Sequence, residues 1–283
     1  MEYSNRRLTF AKDRLPALAG ITAEFEKHLE DDSVYRLWTS DLHRGILFQQ
    51  LHDFFYRPQD SRDLPLWHDT PSWSWATLNK PVTWVGLGFL DHTHNNFTNI
   101  DIVQRLGSLR LRLRETFIIC LGEYPSFRSA GNENNLATHF VGMNQSGFQL
   151  HFFLDQWFAM TFGEYPSKIT SIDARDERLT TNKDEQSLLE RTVIVPITYC
   201  AWYSAEFKNI VGDVWCLLLY APPEAEEGVY RRAGVVAASN FFGSWEDIDA
   251  AMIKAQFDAY RRPVARKFFQ EEDDQGNHTV TVM

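Results

Sequence analysis

The chain has 283 residues with a formal net charge of −10; 44 % are hydrophobic and 23 % charged, an ordinary globular composition. This length buries enough surface to fold without disulfides or metal staples, and the acidic balance argues against a nucleic-acid footprint. The N-terminus MEYSNRRLTF has no apolar signal segment, and the longest apolar run, VWCLLLYA at 214–221, is far short of the ~18 residues of a membrane span.

Aromatic residues stand out, with nine Trp, ten Tyr and 21 Phe, which favours strands and large cores. Residues 13–29 read as a helix. Asp13 is placed to cap it, Pro16 is tolerated in its first turn, and Leu15, Leu18, Phe25 and Leu29 form its apolar face. A helical turn is expected near Tyr35–Trp38 and a strand or helix across Gly45–Leu51, followed by a Pro- and Asp-rich loop over 57–71. SWSWA at 72–76 alternates like a strand and pairs, on this reading, as a hairpin with VTWVGLGF after the turn at Asn79–Pro81. LRLRLRE, from Leu109, has leucines on one face and Arg110, Arg112 and Arg114 on the other, the pattern of a half-exposed antiparallel strand. TFIICLGEY reads as a buried strand, 128–147 as a polar connection, FQLHFFLD at 148–155 as a strand, and 171–189 as charged loop.

Three strands follow, ERTVIVPITYC, DVWCLLLYAP and VYRRAGVVAAS; Ser244 and Asp247 then open a last helix, SWEDIDAAMIKAQFDAY, and the tail after Phe269 is polar and expected to fray. The sum is an α+β fold: a mostly antiparallel β body, sandwich or barrel-like, with an N-terminal and a C-terminal helix. It reads as one globular unit over 1–283, with a β-rich body at 85–262 and a partly disordered tail at 263–283.

Candidate chemistry is thin. Asp91, His92 and His94 could start a metal cluster, but no spacing supplies further ligands. Carboxylate pairs such as Glu190 with Asp213, or Asp155 with Glu164, have no separation set by sequence. Cys120 or Cys200 with His139 or His151 could form a nucleophile pair, but apolar surroundings raise a thiol's pKa; Cys216 also sits in an apolar run. Ser72 and Ser74 lack a nucleophile-elbow pattern, and Gly86-Leu87-Gly88 is a lone GxG. Arg110, Arg112 and Arg114, and the Arg231-Arg232 pair, read as solvated faces balanced by cross-strand acids. Trp73 and Trp75, which could stack on a sugar or base, read as core, one of them packed against the Leu15–Leu29 helix. The expectation is therefore no catalytic, cofactor or metal residue, no cofactor, an intracellular (cytoplasmic) protein with reduced thiols, and a protein partner without nucleic acid or membrane.

Three blocks carry a family resemblance: YSNRRLTFAKDRLPALAGI at 3–21, LWTSDLHRGILF at 37–48 and TPSWSWATLNKPVTW at 70–84. In this order they resemble the region that follows the effector domain in fungal heterokaryon-incompatibility (HET) proteins. Phe48 stands where the family commonly has Trp, and Thr77 where it has Ser. GSLRLR, VWCLLLYAP and VYRRAGVV are similar to its looser downstream strands. Residues 1–84 then form the post-HET helix and SWSW hairpin segment. The resemblance implies a non-enzymatic scaffold or recognition module for self/non-self recognition and cell death, with the HET effector domain itself expected to be absent. The rival expectation is an accessory protein or enzyme of a fungal metabolite or stress locus, holding a small molecule in a pocket of the β body.

Overall fold

The computed structural model describes residues 3–5, 13–50, 70–78, 81–84, 94–96, 98–103, 107–113, 119–120, 127–129, 139–143, 149–155, 190–204, 209–243 and 268–283. In chain order the elements are α1 (Ala19–Leu29), β1 (Ser33–Val34), β2 (Leu37–Trp38), α2 (Leu42–Gly45), β3 (Phe48–Gln50), β4 (Val82–Trp84), β5 (His94–Asn96), β6 (Thr98–Val103), β7 (Ser108–Leu113), β8 (Ile119–Cys120), β9 (Phe127–Ser129), β10 (His139–Met143), β11 (Gln149–Leu154), β12 (Thr192–Ser204), β13 (Asn209–Tyr220), β14 (Val229–Gly243), β15 (Glu271–Glu272) and β16 (His278–Val282). Short 3₁₀ turns occupy Tyr3–Asn5, Pro16–Leu18 and Trp75–Thr77.

The pairings close on themselves. β5 pairs with β12, β12 with β13 and β13 with β14, all antiparallel. The first residues of β14 pair in parallel with β16, which pairs with β7, which pairs with β6. Only Phe97 separates β6 from β5, so one continuous stretch of chain belongs to both ends of the series and shuts the ring. At this seam the Thr98 hydroxyl donates to the Pro196 carbonyl at 2.6 Å. Beyond the ring, β14 also carries β11, followed by β10 and β9. The α+β, predominantly antiparallel architecture read from the sequence is thus present, and the barrel-like form describes the ring.

The ring's interior follows from alternation. Leu109, Leu111 and Leu113 of β7 face Val280 and Val282 of β16, Val193, Val195 and Ile197 of β12, Leu217 and Leu219 of β13, and Val235 of β14, all buried. Ile194, Cys216, Leu218 and Val236, which alternate with these, are buried too, so both faces of the central strands are covered. That explains why VIV and VWCLLL read as continuous apolar runs rather than alternating ones. Pro196 has no N–H to give, and β12 slips its register between Pro196 and Thr198.

Several local expectations are corrected. SWSWA is not a strand: residues 72–78 make a turn and the 3₁₀ turn Trp75–Thr77, while β4 pairs with β3. The Ser74 side chain accepts the Ala76 N–H and caps that turn, the local competition with strand hydrogen bonding that serine favours. Tyr35–Trp38 is not helical. β1 and β2 form a hairpin whose central residues, Tyr35 and Arg36, have φ of 50° and 65°, as a type I′ turn requires. The polar 128–147 connection contains most of β9 and all of β10. The tail expected to be partly disordered forms β15 and β16, with Val280 and Val282 fully buried; its β-branched TVTV alternation outweighs the polar EEDDQGN turn before it. Asp13 makes no cap: the 3₁₀ turn at Pro16–Leu18 feeds α1, which has no side-chain cap. The helix expected after Ser244, the 171–189 loop and most of 57–71 lie outside the described residues.

Candidate functional site

The three sequence blocks converge. From the first, the Tyr3 ring stands edge-on to Trp75 at 6.2 Å, and its hydroxyl donates to the Arg14 carbonyl at 3.0 Å. Ser4 Oγ lies 3.2 Å from both the carbonyl and the N–H of Val82. Arg14 donates from Nη1 to the Leu78 carbonyl, with its Cζ 5.9 Å from the Trp75 ring centre; burial pushes its pKa down. Leu15 and Leu18 rest against the core.

Immediately before the second block, Arg36 Nε donates to the Leu15 carbonyl at 3.3 Å, and the neighbouring Tyr35 ring meets Trp73 edge-on at 5.2 Å. The third block answers: Trp84 Nε1 donates to the Gly45 carbonyl at 2.8 Å, and Trp73 Nε1 to the Gly107 carbonyl at 2.9 Å. Gly107 has φ +61°, which glycine adopts without strain, and a Cβ there would meet the Tyr35 hydroxyl at 2.6 Å, so a side chain at this position would have to displace the Tyr35 ring. His43 Nε2 lies 2.6 Å from the Thr98 carbonyl, which places the proton on that nitrogen and ties the second block to the ring seam.

The blocks meet the β body at a fork. One edge of β14 is held by β16 at Val229 and Tyr230 and by β11 from Gly234 onward. Between them the Arg232 N–H donates to Ser72 Oγ at 2.9 Å, and the Ala233 carbonyl accepts from Asp155 N at 2.9 Å. Ser72 donates through both its N–H and its hydroxyl to the Met283 carbonyl, and Met283 N donates to Tyr230 at 2.9 Å. The SWSW turn therefore wedges the point where two strands part.

A β-bulge lies at the same place: β13 pairs Leu219 with Arg232 and Leu218 with Gly234, leaving Ala233 as the extra residue. Arg232, 0 % exposed, turns inward. Its Nη1 donates to both oxygens of Asp155, at 2.7 Å to Oδ1, and its Nη2 to the Phe48 carbonyl. The Phe48 ring lies 3.7 Å from Cζ, offering its negative face to a guanidinium whose Nε has no hydrogen-bond acceptor among the described residues. Burial is the largest influence on both groups: it pushes the Asp155 carboxyl up and the Arg232 guanidinium down, against the mutual attraction that opposes each shift.

Chemically this is a locked junction. Ser72 Oγ is engaged as acceptor and donor, and both oxygens of Asp155 are held by Arg232. The expected solvated pair Arg231-Arg232 is thus corrected: adjacent strand residues point opposite ways, and one of the two is fully buried. Arg112 is exposed, while Arg110, in register opposite Asp101, is half-buried with its Nε out of reach of solvent. Arg114 is outside the described residues.

Trp73 and Trp75 are buried, as expected; their ring partners are Tyr35, Tyr3 and Trp84, and Leu15 and Leu18 pack against the core cluster that holds both. Cys216 is buried and its thiol pushed far above the ordinary range by desolvation. Glu190 is exposed and Asp213 half-buried. The side chains of His94, Cys120, His139, His151 and Cys200, and residues 86–92 and 164 altogether, are outside what the structure describes. Among the described residues no group of three His, Cys, Asp or Glu could hold a metal ion, and no helix is long and apolar enough to cross a membrane.

No protein-family model matches the chain, and neither a curated protein nor a solved structure matches it. The family resemblance therefore rests on the three blocks alone.

Proposed function

We propose that this chain is a non-enzymatic scaffold and recognition module, working beside a HET-type effector domain in fungal self/non-self recognition. The observation that supports it is the convergence of the three blocks. Residues separated by up to about 80 positions, Ser4 and Val82 among them, close into one aromatic unit that is bolted to the β body through Ser72 and His43. Their shared pattern answers a packing requirement, and their polar atoms are spent on backbone carbonyls and N–H groups rather than aimed at a substrate. Such a rigid unit suits presenting or restraining a second domain.

The test is to titrate the purified chain with a separately purified HET effector domain by calorimetry, and to co-express the two in a fungal host. Saturable binding, with restraint of the effector's growth arrest, is the expected outcome. No heat of binding together with unaltered arrest would overturn the proposal.

A further inference from the structure

β14 opens on Val229-Tyr230-Arg231-Arg232-Ala233-Gly234. Side chains alternate along a strand, so one of the two adjacent arginines faces the ring interior whichever way this segment is set. In the observed register β13 places Leu219 opposite Arg232 and Leu218 opposite Gly234, with Ala233 extra. Tyr230 and Arg232 then turn inward, and Arg231 lies opposite Tyr220 on the other face. Closing the bulge gives a regular register one residue along, with Ala233 opposite Leu219 and Arg232 opposite Tyr220. Val229, Arg231 and Ala233 then turn inward, and Tyr230 and Arg232 outward. Apolar content does not separate the two settings. Each buries one arginine, and Val229, Tyr230 and Ala233 are all buried already. The mostly exposed turn at 223–227 has room to take up the displaced residue.

What differs is the company of the buried arginine. In the bulged register Arg232 meets both oxygens of Asp155, the Phe48 carbonyl and the Phe48 ring. In the regular register Arg231 would enter where Tyr230 now stands, two residues or about 7 Å further along the strand. Val282 lies opposite that place, and the Phe268 carbonyl accepts there from the Tyr230 hydroxyl at 2.8 Å; neither residue supplies a carboxylate.

We infer that Asp155 and Arg232 form a register lock, whose pairing selects the bulged setting of β14 over the regular one and, with it, the attachment of the SWSW turn and β16. A buried pair adds little net stability, but a buried cation without its partner is heavily penalised, so the pair acts by excluding the other register. The attachment depends on the register. The Arg232 N–H donates to Ser72 Oγ, and the Gly228 and Tyr230 carbonyls accept from the N–H groups of Thr281 and Met283. A slip moves all three groups away from these partners and leaves the pairing of β14 with β11, from Gly234 onward, in place. This inference is independent of the role beside an effector domain.

The experiment compares two double variants of the full chain that share Asp155→Leu. With Arg232→Met, the regular register would bury Arg231 unpaired, so the bulge is expected to stay. Cross-strand NMR contacts then place Leu219 opposite residue 232, and the Thr281 and Met283 amides exchange within about threefold of the wild-type rate. With Arg231→Met, the bulged register would bury Arg232 unpaired, so β14 is expected to slip. Leu219 then lies opposite Ala233, and those two amides exchange faster by about tenfold or more while the pairing from Gly234 onward stays protected. The two proteins differ only in which arginine is replaced, so loss of the ion pair alone would affect both alike. Leu219 opposite residue 232 in both variants, or opposite Ala233 in both, overturns the inference. An Arg231→Met variant that unfolds also overturns it, because the regular register is then no real alternative.

Discussion

Removing Asp155 while leaving Arg232 in place strands a guanidinium inside the protein. In the wild type that group has two carboxylate contacts, the Phe48 carbonyl and the Phe48 ring; Asp155→Ala removes its one counter-charge among the described residues and leaves a fully buried cation. Breaking a buried pair in this way costs about 3–5 kcal/mol, a large share of the ~5–15 kcal/mol that keeps a domain folded. Replacing both members with apolar groups has a different outcome. Burial acts on both groups more strongly than their attraction, so Asp155→Leu with Arg232→Met removes two desolvation penalties together. The double variant still loses the Phe48 carbonyl's hydrogen bond, about 1 kcal/mol, and should fall within about 1–2 kcal/mol of wild type. Urea unfolding followed by tryptophan emission reads this directly, because Trp73 and Trp75 leave the core on unfolding. An Asp155→Ala protein within about 1 kcal/mol of wild type, or a double variant no more stable than the single, would refute the reasoning.

Gly228→Ala combines a φ of +72° with a Cβ placed 2.6 Å from the Phe269 carbonyl carbon and against the Gln270 nitrogen, so it should destabilise by at least about 2 kcal/mol, seen as a lower urea midpoint. Val280→Ala removes two buried methyl groups from the ring interior and should cost about 1.5–3 kcal/mol in the same assay, where a frayed tail would give no change. Asp31 and Asp273 have carboxyls held below their ordinary value of 3.8, chiefly by the Thr39 hydroxyl and the Asn277 side chain respectively. Depressed acids contribute stability that is present above the ordinary value and lost as pH falls through the lowered one. Asp31→Asn and Asp273→Asn should therefore flatten the fall of melting temperature below pH 4, an effect that pH-scanned thermal unfolding would detect.

What the sequence revealed depended on whether one period dominated. In LRLRLR the leucines and arginines alternate without interruption, and β7 buries its leucines as read. The runs VIV and VWCLLL marked β12 and β13 through sheer apolar content. SWSWA alternates equally well, but Pro71 and the capping Ser74 turn the chain, and both indoles reach the core from a 3₁₀ turn. Helix α1 was legible as a helix; which of the apolar residues across 13–29 dock was not, because periodicity defines a face but not its partner. The fork was hidden for a similar reason. Asp155 and Arg232 are 77 residues apart, and only the bulge at Ala233 brings the arginine inward. The one available signal was that two adjacent arginines on a strand cannot both face solvent when both sheet faces are covered.

The SWSW turn is the wedge that joins β16 and β11 to β14, and hydrogen–deuterium exchange tests that role most directly. The Arg232 amide, held by Ser72 Oγ, and the amides of Thr281 and Met283, held by Gly228 and Tyr230, should exchange only through global unfolding, and Ser72→Ala should bring them into faster local exchange. Rapid exchange across 278–283 in the wild type, or protection untouched by Ser72→Ala, would contradict it.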